Sequence, residues 1–79
     1  MIPRTDLEAL IRAALPDAAV DLEDLTGGED HWRARIISES FAGLAQLARH
    51  RLVYRALGDA MRGPVHALAL ETLTPAEAS

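Results

Sequence analysis

The sequence predicts an α+β domain of order αββααβ, in which a three-stranded sheet carries its helices on one face. Three observations predict it. An N-terminal stretch places apolar residues at helical spacing. The next two stretches alternate apolar and charged residues on either side of a glycine turn. A second helical stretch then meets Gly63-Pro64 and gives way to a final alternating run. The 79 residues suit one domain, assigned to 1–79, with about 72–79 expected as a flexible tail.

The first helix is expected to start at a capping box, Thr5-Asp6-Leu7-Glu8, and to bury Leu7, Leu10, Ile11, Ala14 and Leu15. Pro16 stops it, because the residue before proline is driven out of helical geometry. In the first strand Val20 and Leu22 face one way and Asp21 and Glu23 the other. After the turn Thr26-Gly27-Gly28-Glu29-Asp30, the second strand runs from His31 to Ile37. Trp32, Ala34 and Ile36 lie on its inner face, Arg33 and Arg35 on its outer face. An antiparallel hairpin would set the outer acids across from these arginines. Leu44, Leu47 and Ala48 suggest a short helix. Val53, Ala56, Leu57, Ala60 and Met61 mark a longer one, with a bend near Arg49–Arg51. The third strand, Val65 to Leu70, points His66, Leu68 and Leu70 to one face, and Leu73 to Glu77 reads as frayed.

Composition narrows the function classes. There is no cysteine, so the chain offers no disulfide, thiolate ligand or cysteine nucleophile. No apolar run is long enough to span a bilayer, and the first residues lack the apolar core of a signal peptide, so a soluble, cytoplasmic protein is expected. Every basic residue is arginine, and the net charge is −4. From His31 to His66 six arginines stand against two acids, a local +4, while the remainder carries −8. Such polarity steers a partner onto one side, although the overall acidity disfavours nonspecific nucleic-acid binding.

Three histidines, His31, His50 and His66, are candidates for chemistry, since imidazole is a ligand for borderline metals. By spacing alone His66 reads either as a ligand or as a partly buried histidine donating to a carbonyl. His31 reads as a loop-carried ligand or a solvated strand start, and His50 as a helix histidine bonding locally. Ser38 and Ser40 have no base at a catalytic spacing, and Gly27-Gly28 joins two strands rather than leading into a phosphate-binding helix, so no enzyme is expected. Arg51, Arg55 and Arg62 form a stripe read either as a solvated helix face or as phosphate contacts of a helix-turn-helix.

Phe41-Ala42-Gly43, Arg49-His50-Arg51-Leu52-Val53-Tyr54, Gly63-Pro64-Val65-His66-Ala67-Leu68-Ala69-Leu70 and the trailing Thr74-Pro75 together resemble the BolA family signature over nearly the whole chain. The resemblance implies an αββααβ fold similar to a class II KH domain. The G-x-x-G loop with which KH domains clamp nucleic acid is absent at the helix junction. It also implies a non-enzymatic adaptor that pairs with a monothiol glutaredoxin and shares a [2Fe–2S] cluster with it, in cluster trafficking or iron regulation. The histidine of the family's H-A-L strand carries over to His66 as the first ligand. The family's loop ligand falls near Glu29, and His31 is the nearest replacement. A cluster of this type needs four ligands, so the partner must bring its cysteine and a glutathione thiolate. Imidazole ligates only when neutral, which makes such binding pH-sensitive. The family also implies a second role, a DNA-binding regulator of stress response or cell shape, for which Arg49, Arg51 and Arg55 would meet phosphates.

Overall fold

The computed structural model describes residues 2–62 and 67–79. The chain forms α1 (Arg4–Ala14), β1 (Ala19–Asp24), β2 (His31–Ile37), a 3₁₀ turn (Glu39–Phe41), α2 (Gln46–Leu57), a second 3₁₀ turn (Gly58–Arg62), β3 (Ala67–Leu73) and a closing helical turn, α3 (Pro75–Ala78). The strands lie in the order β1-β2-β3. β1 and β2 pair antiparallel, as expected of the hairpin, and β2 and β3 pair parallel. A parallel pair needs a crossover of a dozen or more residues, and the segment holding α2 supplies it.

The expected α+β architecture is present, with the helices on one face. The inner face of β2 offers Trp32, Ala34 and Ile36, joined by Leu22 of β1 and, at the margin, Leu68 and Leu70 of β3. Leu7, Ile11 and Leu15 from the first helical segment, Val53 and Leu57 from α2, and Phe41 close over them. Each large apolar side chain buried in this way contributes roughly 1.5–3 kcal/mol against exposure. The outer face is charged. Register sets Asp21 opposite Arg35 and Glu23 opposite Arg33, with Arg33 3.1 Å from Glu23. Arg35 instead reaches Glu71 of β3 at 2.9 Å.

Four local expectations are corrected. Thr5 does not cap α1. The helix begins at Arg4, and the Pro3 carbonyl accepts from the N–H groups of Asp6 and Leu7, so the first turn closes two residues earlier than the capping box requires. The short helix and the bend give way to one helix, Gln46–Leu57, through which Arg49–Arg51 run without interruption. Leu47 lies on its exposed side, at 62% exposure. That helix ends at Leu57 rather than running on through Met61, because Gly58 takes φ +51° and ψ −124°, which cannot continue a right-handed helix.

The fourth correction is the tail. β3 extends to Leu73, and Thr74 caps α3 through a full capping box. The Glu77 N–H donates to the Thr74 hydroxyl at 3.2 Å, and the Thr74 N–H donates to the Glu77 carboxylate at 2.9 Å. The last turn is docked rather than frayed.

Candidate functional site

The predicted site residues separate into two regions. The first is the end of the sheet where β2 begins. Asp24 closes β1, and its carboxylate accepts from three backbone N–H groups of the turn, those of Thr26, Gly27 and Glu29, at 3.3, 3.0 and 3.2 Å. Gly27 and Glu29 both take the left-handed region, at φ +81° and +58°. The Leu25 N–H then donates to the His31 carbonyl at 2.9 Å, and the chain re-enters the sheet. His31 is half-exposed, with Nδ1 3.1 Å from Asp30 Oδ1. Asp30 in turn accepts from the Thr26 hydroxyl at 2.9 Å. Its carboxyl is held below the usual range, first by His31 and then by Thr26.

Register pairs His31 with Ala67, the first residue of β3. His66 immediately precedes Ala67 in the sequence and lies outside the described residues. His50 is far along the chain from both, half-buried near the middle of α2. Among the described residues no three or more histidine, cysteine or acidic side chains gather as a metal site. Without cysteine, the chain provides no thiolate, and its borderline donors are the imidazoles of three histidines. This donor set fits part of a shared cluster site and falls short of a whole one.

The second region is the exposed side of α2, and here one expectation fails. Arg49 is not available to phosphate: it is 5% exposed and spent on internal bonds. Its Nε donates to the Leu44 carbonyl at 2.8 Å and its Nη1 to the Thr72 carbonyl at 3.2 Å. The guanidinium also grips both oxygens of Glu77. Arg49 sits one helical turn from the core residue Val53, which turns its side chain inward. Arg51 and Arg55 are exposed, with Tyr54 between them at 40% exposure. The expected helix-turn-helix is also absent among the described residues, where α2 is framed by two 3₁₀ turns. Sequence reasoning missed the contacts that link Thr26 and Asp30 to His31. The T-x-x-x-D spacing around two glycines was the available signal.

The chain is a small α+β domain with a mixed sheet, one charged face and a constrained turn leading to a histidine. The family model for BolA-like proteins matches residues 11–77. The mouse BolA-like protein 1 is 42% identical over 82 aligned residues, covering 90% of this chain and 60% of the relative, so the chain spans about 60% of the length of such curated relatives. The Vibrio cholerae protein named DNA-binding transcriptional regulator BolA is 47% identical over 51 residues, covering 65% of this chain and 48% of the relative. The solved structure of a BolA homologue from Coxiella burnetii superposes with a TM-score of 0.83 at 37% identity, covering 99% of this chain and 97% of that one. The chain belongs to the BolA-like family. Among its described residues no helix is long and apolar enough to cross a membrane.

Proposed function

We propose that this chain is a non-enzymatic adaptor that binds a monothiol glutaredoxin and shares a [2Fe–2S] cluster with it, in cluster trafficking or iron regulation. The observation that carries the reading is the pairing of His31 with Ala67, neighbour in sequence of His66, in a chain that has no thiol of its own. His31 and His66 are the residues that would hold the cluster from this side. The partner's cysteine and a glutathione thiolate would complete the four ligands. When bound, such a centre supplies one-electron chemistry and a transferable iron–sulfur unit. The protein's own contribution is to orient His31 from a constrained turn.

The test is anaerobic reconstitution of this chain with a monothiol glutaredoxin and glutathione, followed by visible circular dichroism. A spectrum distinct from that of the glutaredoxin alone, lost or altered in His66→Ala and changed in His31→Ala, is the expected result. No new spectrum and no association would end the adaptor reading.

A second reading is supported by the name of the Vibrio cholerae relative and by the two exposed arginines of α2. As a DNA-binding regulator, the chain would use Arg51 and Arg55 on phosphates. Duplex affinity should then fall steeply with salt, and Arg51→Ala and Arg55→Ala should each lower the salt slope by about 1. Affinity indifferent to both changes would remove this reading.

A further inference from the structure

The turn between β1 and β2 is closed by its own hydrogen bonds, and these lead to Asp30, whose Oδ1 lies beside one ring nitrogen of His31. The Asp24 carboxylate pins the turn backbone through three N–H groups. The Gly28 N–H donates to the Thr26 hydroxyl at 3.1 Å, and that hydroxyl donates to Asp30 Oδ1 at 2.9 Å. The same oxygen faces His31 Nδ1 at 3.1 Å. Nδ1 is shut off from solvent, although the side chain as a whole is 42% exposed. His31 Nδ1 therefore lies beside the Asp30 carboxylate and out of contact with solvent.

We propose that Asp30 is a positioning residue for His31: it holds the imidazole proton on Nδ1 and so makes Nε2 the nitrogen that carries the lone pair. A carboxylate at this distance repels a lone pair on Nδ1 and attracts an N–H there, which selects one of the two neutral tautomers. Carboxylate–histidine pairs of this kind fix the ring and raise the basicity of the far nitrogen in metal sites. Thr26 acts one step back, because its hydroxyl holds the carboxylate in place. The purpose assigned to this arrangement, presenting Nε2 to a metal, rests on the cluster-sharing reading; the tautomer itself does not.

The experiment uses the full chain free of iron and glutaredoxin, labelled with ¹⁵N, with the imidazole neutral. Long-range ¹⁵N–¹H correlations of the His31 ring give its tautomer, and backbone amide shifts show that each variant is folded. The wild type should be mainly Nδ1–H. Asp30→Ala should shift the ring toward Nε2–H, Thr26→Val should shift it partway, and Thr26→Ser should restore it. A merely structural role for Asp30 would change backbone shifts of the turn and leave the ring populations alone. A wild-type ring that is mainly Nε2–H, or an unchanged ring in folded Asp30→Ala, overturns the proposal. If Asp30→Ala does not fold, an unchanged ring in Thr26→Val overturns it. No partner enters this measurement, so a failed mixed-complex reconstitution beside a positive tautomer result condemns the adaptor reading alone. The reverse pair of results condemns the role of Asp30 alone.

Discussion

Arg49 and Glu77 form a two-point contact across the far end of the sheet. Nη1 donates to Oε1 at 2.6 Å and Nη2 to Oε2 at 3.1 Å. The same guanidinium bonds the carbonyls of Leu44 and Thr72, so one side chain ties α2, β3 and α3 together. Removing it takes four hydrogen bonds out of a site where the guanidinium itself is buried. Arg49→Ala should lower the thermal midpoint by several degrees. Arg49→Lys should recover little, since an ammonium cannot reproduce the fork. Thermal denaturation followed by far-UV circular dichroism checks both, and a lysine variant as stable as the wild type would show that the fork geometry is unimportant.

The same contact should make stability depend on acid. The Arg49 guanidinium, the Thr74 N–H and the Thr74 hydroxyl lower the Glu77 carboxyl from 4.5 to about 2. A carboxyl depressed in the folded state adds stability above its unfolded pKa, and that stability is lost as pH falls through the folded value. Asp17 is lowered too, by the Ser38 hydroxyl and the Glu39 N–H, and acts in the same direction. The midpoint of urea unfolding should therefore fall steadily between about pH 5 and pH 2. In Glu77→Gln the fall should be shallower across that window. Parallel curves for the two proteins would contradict the assignment.

Burial separates two apolar positions that the sequence treats alike. Ile36 is fully buried and Leu47 is 62% exposed. Ile36→Val should cost about 1 kcal/mol by loss of one methylene from the core. Leu47→Ala should stay within roughly 0.5 kcal/mol of the wild type. Equilibrium urea titrations resolve the difference, and a larger cost at Leu47 would mean that α2 is rotated from the orientation given above.

Gly58 ends α2 in a backbone region that side chains disfavour, while open space surrounds the position where a Cβ would sit. Gly58→Ala should thus cost about 1–3 kcal/mol from backbone strain alone. A neutral result in urea titration would show that the helix end relaxes without penalty.

Much of the fold was legible in the chain itself. The alternation in β1 and β2 gave the inner and outer faces correctly, with the outer acids of β1 across from the arginines of β2, because strand periodicity is local. The family signature was legible for the same reason that it is specific: several short motifs stand in a fixed order, and the family match over residues 11–77 bears it out. The helical segments were harder. Arg49, Arg51 and Arg55 look equivalent as residue types, and the charge they carry says nothing about which of them turns inward.

Local pattern thus determined the α+β class, the charged outer face, the lack of thiols and the family. Only the tertiary structure decided that Arg49 is an internal clamp, that the last residues are docked, and that His31 is backed by Asp30 and paired with Ala67. Those facts depend on contacts between residues distant in the chain or on a turn closed by its own side chains. Such contacts form only when the sheet has brought β2 beside β3 and packed α2 against them, and no periodicity along the chain records them.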